Sequence, residues 1–593
     1  MSESRWPLRK IMNTSQRFDP SLLALGAALA VVCAAAWIRM NGTAWDGFAN
    51  LHPDERHMMF VVTGMLERWG NADVSSLGLF ELWFSAETSP LNPRQNDGFY
   101  VYGEAPVLFV ALVSRIVGAS DWQEILILAR TMTAILDAST VLAVFMLGWS
   151  LVRSVPAALA AAILYAAAPT ALQLSNFFTV DAWLTATVAW SLFALNRLAG
   201  QADIRKASLA GATVGAAVAM KATAAVMLAP AVVAIALVSA RIGYRAAARV
   251  ALILAICAFL AFRVFNPFAF AGPGPLGLAM SEAFLGNFQE LVAITLDPHH
   301  PPNWSWLHLY SSLDFLRDFA VFGSGPLLAM ATLLLSCQVM RGTLGKAAVT
   351  QLLVPATAAI AFITTTIAAE VAPLRYAAPA IPVMAVLVTV SLARMRAPVV
   401  LGAVLLAVWW GAGTVALHDG NHPRIKAAHW LWLFPRGTAI ANETAWDEEL
   451  PVIIRLPGES FARWPTHDDH FELIKLDILD PDAPEKATKL ARALAGADYV
   501  AVSSGRQREV IPHMTETYPM TAAYYRFLSD GSLCYKSVFS QRRGYPLPGF
   551  PFDDTWAQEP WRVYDHPDVE IFRREPCFDE VKARALLLSA LDE

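Results

Sequence analysis

The sequence predicts a polytopic α-helical membrane protein that carries a soluble α/β domain at its C-terminal end. Three observations predict it. Of 593 residues, 56% are hydrophobic and 16% charged, against about 45–50% and about 25% in ordinary soluble domains. The apolar residues gather in long runs up to about residue 417, many near the ~20 residues that cross a bilayer. Beyond that point the runs shorten and alternate with polar residues. This pattern excludes a disordered chain, a collagen and an ordinary cytosolic enzyme. A net charge of −5 lacks the basic excess that marks nucleic-acid binding.

About eleven spans follow from the length criterion. They are 21–40, 125–151, 155–174, 181–198, 207–220, 222–240, 248–266, 319–339, 346–368, 376–394 and 398–417. The fifth and sixth are short enough to be one broken pair. Arg5, Arg9, Lys10 and Arg17 precede the first run, and no small-x-small cleavage site follows it, so it reads as an uncleaved span. Arg153, Arg197, Arg205, Lys206, Arg241, Arg245, Arg249, Arg341, Lys346, Arg394 and Arg396 then fall on one side. The positive-inside rule makes that side cytoplasmic, with the N-terminus. Segments 41–124 and 267–318, the 369–375 turn and the 418–593 domain fall outside. Segment 101–118 carries Glu104 and Arg115 and is expected to lie on the membrane surface.

In the tail, short apolar stretches at 438–444, 451–456, 471–477, 498–504 and 568–574 read as strands. A helical pattern at 485–496 stands between two of them, which suggests a small α/β domain. Cys33, Cys257 and Cys337 sit in apolar runs, where a thiol is a small hydrophobe. Cys534 and Cys577 lie in the tail, where a disulfide is permitted but spacing does not decide it. No CxxC or zinc spacing occurs.

Candidate chemistry concentrates in the outer segments. Asp54 and Glu55 follow a proline in LHPDERH (51–57) and open a helical pattern. Acids at a helix start are favoured by the dipole, yet a carboxylate at a membrane surface can also act as a general base. His52 and His57 flank the pair, and Asp54 with His57 could bind a divalent metal, the one cofactor left open. Asp181 stands where span three gives way to span four, either as a helix cap or as a second acid. Lys221 lies in an apolar run, where a cation is costly and points to function unless it snorkels. Asp137 is within a span, seven residues from Arg130 on one helix face, and reads as a structural contact. Arg375 and Tyr376 sit at the outer edge, where the arginine could hold a phosphate bidentately or anchor in headgroups. His308 belongs to an aromatic-rich outer loop, 296–319, of a kind that binds sugars or lines a membrane interface.

These pieces together resemble a known superfamily. HPDE (52–55) resembles the acidic first-loop motif of GT-C fold glycosyltransferases, the closest group being the protein O-mannosyltransferases and aminoarabinose (lipid A) transferases. FYVYGEAPVLFV (99–110), NFFTVDAWLT (176–185), AMKATA (219–224) and LRYAAPAIP (374–382) resemble that superfamily's further elements, in the same order. The tail pieces ETAWDEELP (443–451), DYVAVSSGR (498–506) and VYDHPDVEIFRRE (563–575) resemble the C-terminal part of uncharacterised bacterial members. The resemblance implies a GT-C transmembrane domain over 1–417 and a sugar donor linked to a polyprenyl phosphate. It implies Asp54 as the catalytic base, with Glu55 and Asp181 beside it in the catalytic set. Lys221, Arg375 and Arg130 become the candidates for the donor phosphate. Glu104 joins them, although Ala105 stands where the aminoarabinose transferases carry a lysine. Tyr102, Tyr376 and His308 are the candidates for sugar or acceptor.

The expected function is transfer of a sugar from a polyprenyl-phosphate donor to a lipid, glycan or protein hydroxyl on the outer face of the membrane. Direct displacement inverts the anomeric centre. No nucleic acid and no nucleotide is needed, in keeping with the missing Rossmann fingerprint. A transporter or flippase of lipid-linked sugar is the rival reading. Such a protein should show paired broken helices in internal repeats, and only the segment near Lys221 looks broken. A non-enzymatic envelope scaffold leaves Lys221, Asp54 and Arg375 unexplained.

Overall fold

A computed structural model describes residues 20–72, 78–95, 98–443, 449–452 and 470–591. The basic residues 5–17 and most of the expected strand at 451–456 lie outside the described residues. Each expected span falls on a helix or a broken pair of helices. These are α1 (Pro20–Asn41), α4 (Trp122–Val152), α5 (Val155–Ala166), α6 (Val180–Gly200), α7 (Ile204–Met220), α8 (Leu228–Ile242), α9 (Tyr244–Phe265), α10 (Pro326–Met340), α11 (Lys346–Ile367), α12 (Ala380–Leu392) and α13 (Ala397–Leu417). Three helices come between α1 and α4: α2 (Pro53–Asn71), a short one over Leu79–Phe84, and α3 (Ala105–Val117).

The expected count of eleven is not reproduced by length alone. Among the described residues six helices are long and apolar enough to cross a membrane, or seven if Ser312–Gly323 and Pro326–Met340, bent by 117°, form one span. The local chemistry explains the interruptions. Ala168 precedes Pro169 and is extended (φ −67°, ψ 127°), because a residue before proline avoids the helical region. This ends α5 early. Gly325, at φ +80°, makes the sharp turn before Pro326. Lys221 is fully extended (φ −159°, ψ 134°) and separates α7 from a 3-10 turn over Ala222–Met227 that leads into α8. Helix α3 buries Val107, Leu108, Val110 and Ala111 and exposes Ile116, so it is a one-sided helix packed beside α2.

Inside the bundle Asp137 finds Arg39 rather than Arg130. The Arg39 guanidinium donates to it at 2.6 Å and the Tyr165 hydroxyl at 2.5 Å. All three are buried, so the contact ties α1, α4 and α5 together where an unpaired charge would be costly.

The tail contains a five-stranded sheet. Its strands are β1 (Thr438–Glu443), β2 (Phe471–Leu476), β3 (Tyr499–Val502), β4 (Tyr535–Gln541) and β7 (Val569–Arg574), in the order β2-β1-β3-β7-β4. β1 runs parallel to β2 and β3, while β7 is antiparallel to β3 and β4. The central β1 is buried along its whole length, including Thr438, Asn442 and Glu443. Helix α14 (Pro484–Gly496) crosses between β2 and β3 and buries Ala487, Leu490, Ala491 and Leu494.

The tail does not stand apart. A hairpin of β5 (Tyr545–Leu547) and β6 (Phe550–Phe552), with the segment after it, packs into the apolar core of the helices. The Tyr545 hydroxyl donates to the Trp410 carbonyl at 2.7 Å. A Cβ at Gly413 would overlap the Tyr545 ring, so α13 needs glycine there. Trp561 stacks on Phe322 at 4.8 Å, and Gln173 donates to the Trp561 carbonyl and to Asp565.

His566 is buried between Asp565 and Asp554. Burial alone would lower its pKa, but the two carboxylates push it up to about 9. A raised folded pKa stabilises fully below the unfolded value of about 6.5 and is lost as pH rises through the folded one. The thermal midpoint of the wild type should therefore fall between neutral pH and about 9, and the His566→Asn variant should lack that pH-dependent component. Cys534 and Cys577 form a disulfide 43 residues apart in sequence. Replacing both with serine should cost about 2–4 kcal/mol, read as a lower denaturation midpoint of tail tryptophan fluorescence.

Candidate active site

Four charged side chains from four separate elements meet at the end of the bundle where α1 finishes and α6 begins. Asp54 enters from the first turn of α2, which Pro53 starts. Asp181 enters from the first turn of α6, Lys221 from the break after α7, and Arg375 from the 3-10 turn Leu374–Ala377. Arg375 Nη2 lies 3.0 Å from Asp54 Oδ2, and its Nε lies 4.0 Å from Asp181 Oδ2. Lys221 Nζ donates to Asp181 Oδ1 at 2.8 Å. The Asp54 and Arg375 side chains remain 24% and 18% exposed, so a ligand can reach them.

Burial alone would raise the Asp54 pKa. Arg375 above all, with His52, Lys221 and His57 behind it, instead holds the carboxyl below the usual carboxylate range. Asp54 is thus ionised, with its proton affinity held down by the guanidinium. Aromatic rings frame the group. Lys221 Nζ sits 4.3 Å above the Tyr376 ring, a cation–π contact that steadies the ammonium in a dry setting. The Tyr102 phenol feels Asp54, Asp181, Arg375 and Tyr376. Burial first, then Asp54, pushes its pKa far up, so it stays a neutral donor. A glycine allows this arrangement. The Gly103 N–H donates to the Met220 carbonyl at 3.0 Å, and a Cβ there would overlap the Ala219 carbonyl. The loop that carries Tyr102 can therefore lie directly on the backbone that presents Lys221.

The remaining predicted residues go elsewhere, and each departure has a physical reason. Glu55 and Arg130 are fully buried against each other and do not face the open group. The Arg130 guanidinium forks to Glu55 (2.8 and 2.6 Å) and to Asp46 (2.8 and 2.9 Å), and it also reaches the Thr43 carbonyl. Its donors are occupied, so it has none left for a phosphate. Glu55 also accepts from the Phe178 N–H at 2.7 Å, which anchors the chain just ahead of Asp181. Glu104 is not part of the open group either. It is buried, takes Arg94 and the Phe268 N–H, and clamps its loop to the end of α9. His308 stacks on Trp304 at 4.4 Å, and no described contact brings it to Asp54. His57 stacks on Tyr100 at 6.1 Å. The donor set around Asp54 does not fit a divalent ion, because a guanidinium already holds the carboxylate and a second cation lies close by. Among the described residues no group of three His, Cys, Asp or Glu side chains could hold a metal.

The structure also brings in residues that sequence reasoning passed over. Tyr564, from the tail, stacks on His52 at 4.0 Å, and its hydroxyl accepts from Arg375 Nη1 at 3.2 Å. The tail motif VYDHPDVEIFRRE contains it, but nothing in linear order says that it reaches residues 52 and 375. Asp46 was hidden in a short polar stretch after the first span. It accepts from Arg130 and from the N–H groups of Phe48 and Leu51.

Comparison with known proteins gives these elements a context. Residues 105–269 match the profile of the family described as dolichyl-phosphate-mannose-protein mannosyltransferase. No curated protein sequence matches the chain. Among solved structures, ArnT from Cupriavidus metallidurans bound to undecaprenyl phosphate is 18% identical over 69% of this chain and 72% of its own, with a TM-score of 0.41. The oligosaccharyltransferase AglB from Archaeoglobus fulgidus, in complex with an inhibitory peptide and a dolichol-phosphate, is 13% identical over 89% and 75%, with a TM-score of 0.46. The arabinofuranosyltransferase AftD from Mycobacteria is 15% identical over 93% and 40%, with a TM-score of 0.32. The matched segment carries Asp181 and Lys221, two of the four clustered side chains, and it lies among the five motifs in their expected order. Over residues 105–269 the chain is similar to the dolichyl-phosphate-mannose-protein mannosyltransferase family.

Proposed function

We propose that the protein moves a sugar from a polyprenyl-phosphate donor to a hydroxyl acceptor on the extracytoplasmic face of a bacterial inner membrane, with inversion. The observation that carries this reading is the meeting of Asp54, Arg375, Asp181 and Lys221, because the reaction needs a base beside a cationic phosphate site. The isoprenoid tail lies in the bilayer and the phosphate at Arg375 and Lys221. Asp181 holds both cations in place. Asp54 takes the proton from the acceptor hydroxyl as its oxygen attacks the anomeric carbon. The bond from that carbon to the phosphate oxygen breaks, and its electron pair leaves on the polyprenyl phosphate. Fixed cations stabilise that charge. Tyr102 and Tyr376 flank the sugar. Domain 1–417 does the chemistry, and domain 418–593 closes the site through Tyr564.

Two features support the orientation. Basic residues gather at the end of the bundle away from Asp54, as the positive-inside rule asks of a cytoplasmic face. The tail disulfide suits an oxidising compartment.

Arg375 couples the two halves of the reaction. In the free protein it neutralises Asp54. A donor phosphate draws it away, and the proton affinity of Asp54 rises as the acceptor arrives. Two results follow. With Asp54 below its usual range, kcat/KM for the donor, which reports the free enzyme, should show no acid limb above about pH 4. The limb in kcat should lie at higher pH. Limbs at the same pH in both profiles contradict the coupling. Arg375→Gln should raise the donor KM about 10–100-fold, since hydrogen bonds to charged groups contribute about 1.5–3 kcal/mol.

The function itself is tested with purified protein in liposomes and radiolabelled polyprenyl-phosphate sugars. Release of polyprenyl phosphate with transfer to an acceptor is the expected result. Labelled lipid crossing between leaflets without release sinks the transferase reading and favours transport.

A further inference from the structure

At the opposite end of the bundle, α4, α6, α7, α8 and α11 enclose a cavity of about 450 Å³. Its lining includes Arg153, Arg197, Lys206 and Arg241. These residues stand at the ends of α4, α6 and α8 and the start of α7. Helix ends attract cations through the dipole, and a cytoplasmic face collects them anyway. Neither rule requires them to converge on a hollow. Arg153 and Arg197 have no acidic partner among the described residues. Their guanidinium groups lie over the Trp149 and Phe193 rings, 5.9 and 5.6 Å from the centroids. Lys206 pairs with Asp203 at 2.9 Å, and Arg241 donates to the Gly200 carbonyl. Four cations thus face one carboxylate, above an apolar and aromatic floor. The volume lies in the usual range for a small-molecule site, about 300–1,000 Å³.

Position identifies the ligand's class. Helix α6 has 21 residues between the Asp181 end and the Gly200 end. At 1.5 Å per residue that is about 30 Å, the thickness of a bilayer's hydrocarbon core. The cavity therefore stands at headgroup depth in the leaflet opposite Asp54. Basic pockets between helices at that depth suit lipid phosphates, and free guanidinium forks match phosphate oxygens. We propose that this cavity binds the phosphate headgroup of an anionic lipid in the leaflet opposite the reaction site. Inorganic phosphate offers the same chemistry from solution. The proposal does not depend on the donor assigned above.

The test uses the full-length protein in detergent with three probes: dioctanoyl phosphatidylglycerol, dioctanoyl phosphatidylcholine and inorganic phosphate. The glycerol lipid should bind, more weakly as salt rises, and the choline lipid should bind at least tenfold less well. The double variant Arg153→Gln, Arg197→Gln should weaken binding of the glycerol lipid at least tenfold. Gln351→Trp fills the cavity wall yet keeps every charge, and it should weaken binding similarly. Both variants should melt within a few degrees of wild type in lipid-free detergent, which separates lost binding from lost fold. Equal binding of both lipids, or loss in the double variant but not in Gln351→Trp, overturns the site in favour of diffuse attraction. Competition by inorganic phosphate at equal concentration overturns the lipid assignment and makes a soluble anion the ligand.

Discussion

Replacing Asp54 with asparagine is expected to lower turnover about 10²–10⁴-fold, the usual contribution of a general base. That range corresponds to about 3–5 kcal/mol of barrier. Asparagine keeps the size and can still accept a hydrogen bond, but it cannot take a proton. It also releases Arg375 from its 3.0 Å ion pair. Donor binding should therefore hold or tighten while kcat collapses. That split separates loss of the base from loss of the site's shape, since a distorted pocket would weaken donor binding too. Steady-state kinetics on liposome-reconstituted protein, with donor binding measured directly, decides it. A loss of less than tenfold rules Asp54 out as the base.

The largest effect on stability is expected at Arg130. Its guanidinium and both partners, Asp46 and Glu55, are fully buried. Removing one member of such a cluster leaves an uncompensated charge and costs about 3–5 kcal/mol. Arg130→Met should thus lower the unfolding midpoint sharply, and Arg130→Lys should do nearly as much harm, because one ammonium cannot fork to two carboxylates. Neutralising the partners as well, with Asp46→Asn and Glu55→Gln in the Arg130→Met background, should recover part of the loss. If the single variant melts like wild type, the cluster does not clamp the bundle. Activity gives a second reading, since Glu55 also fixes the backbone ahead of Asp181. The surviving folded fraction of Arg130→Met should be impaired even after correction for its amount.

Asp54 and Glu55 show how far adjacency in a motif can mislead. They are neighbours in HPDE and share a chemistry, and only the family resemblance, not their own pattern, singled out Asp54 as the base. On a helix, successive residues point about 100° apart. One carboxylate therefore faces the open group and the other faces α4. Arg130 and Arg375 differ in the same way. Both are arginines near an apolar run, yet one is consumed by two buried acids and the other is 18% exposed. Glu104 belongs with Arg130, because its loop folds back on the end of α9 and Arg94 takes its charge.

Helices, strands and breaks were readable because they depend on local chemistry. Apolar run length, a proline, a glycine or an isolated lysine acts within a few residues, and the expected spans and four of the five tail strand patterns land on observed elements. The role of each charge was not local. A charge in a dry bundle must find a counter-charge, and which one it finds depends on helices and a tail that meet only after folding. That is why linear order located the helices and most of the tail strands, though not a count of eleven spans. Three-dimensional packing chose which acid stays partly exposed, which arginine does, and that Tyr564 of the tail meets Arg375.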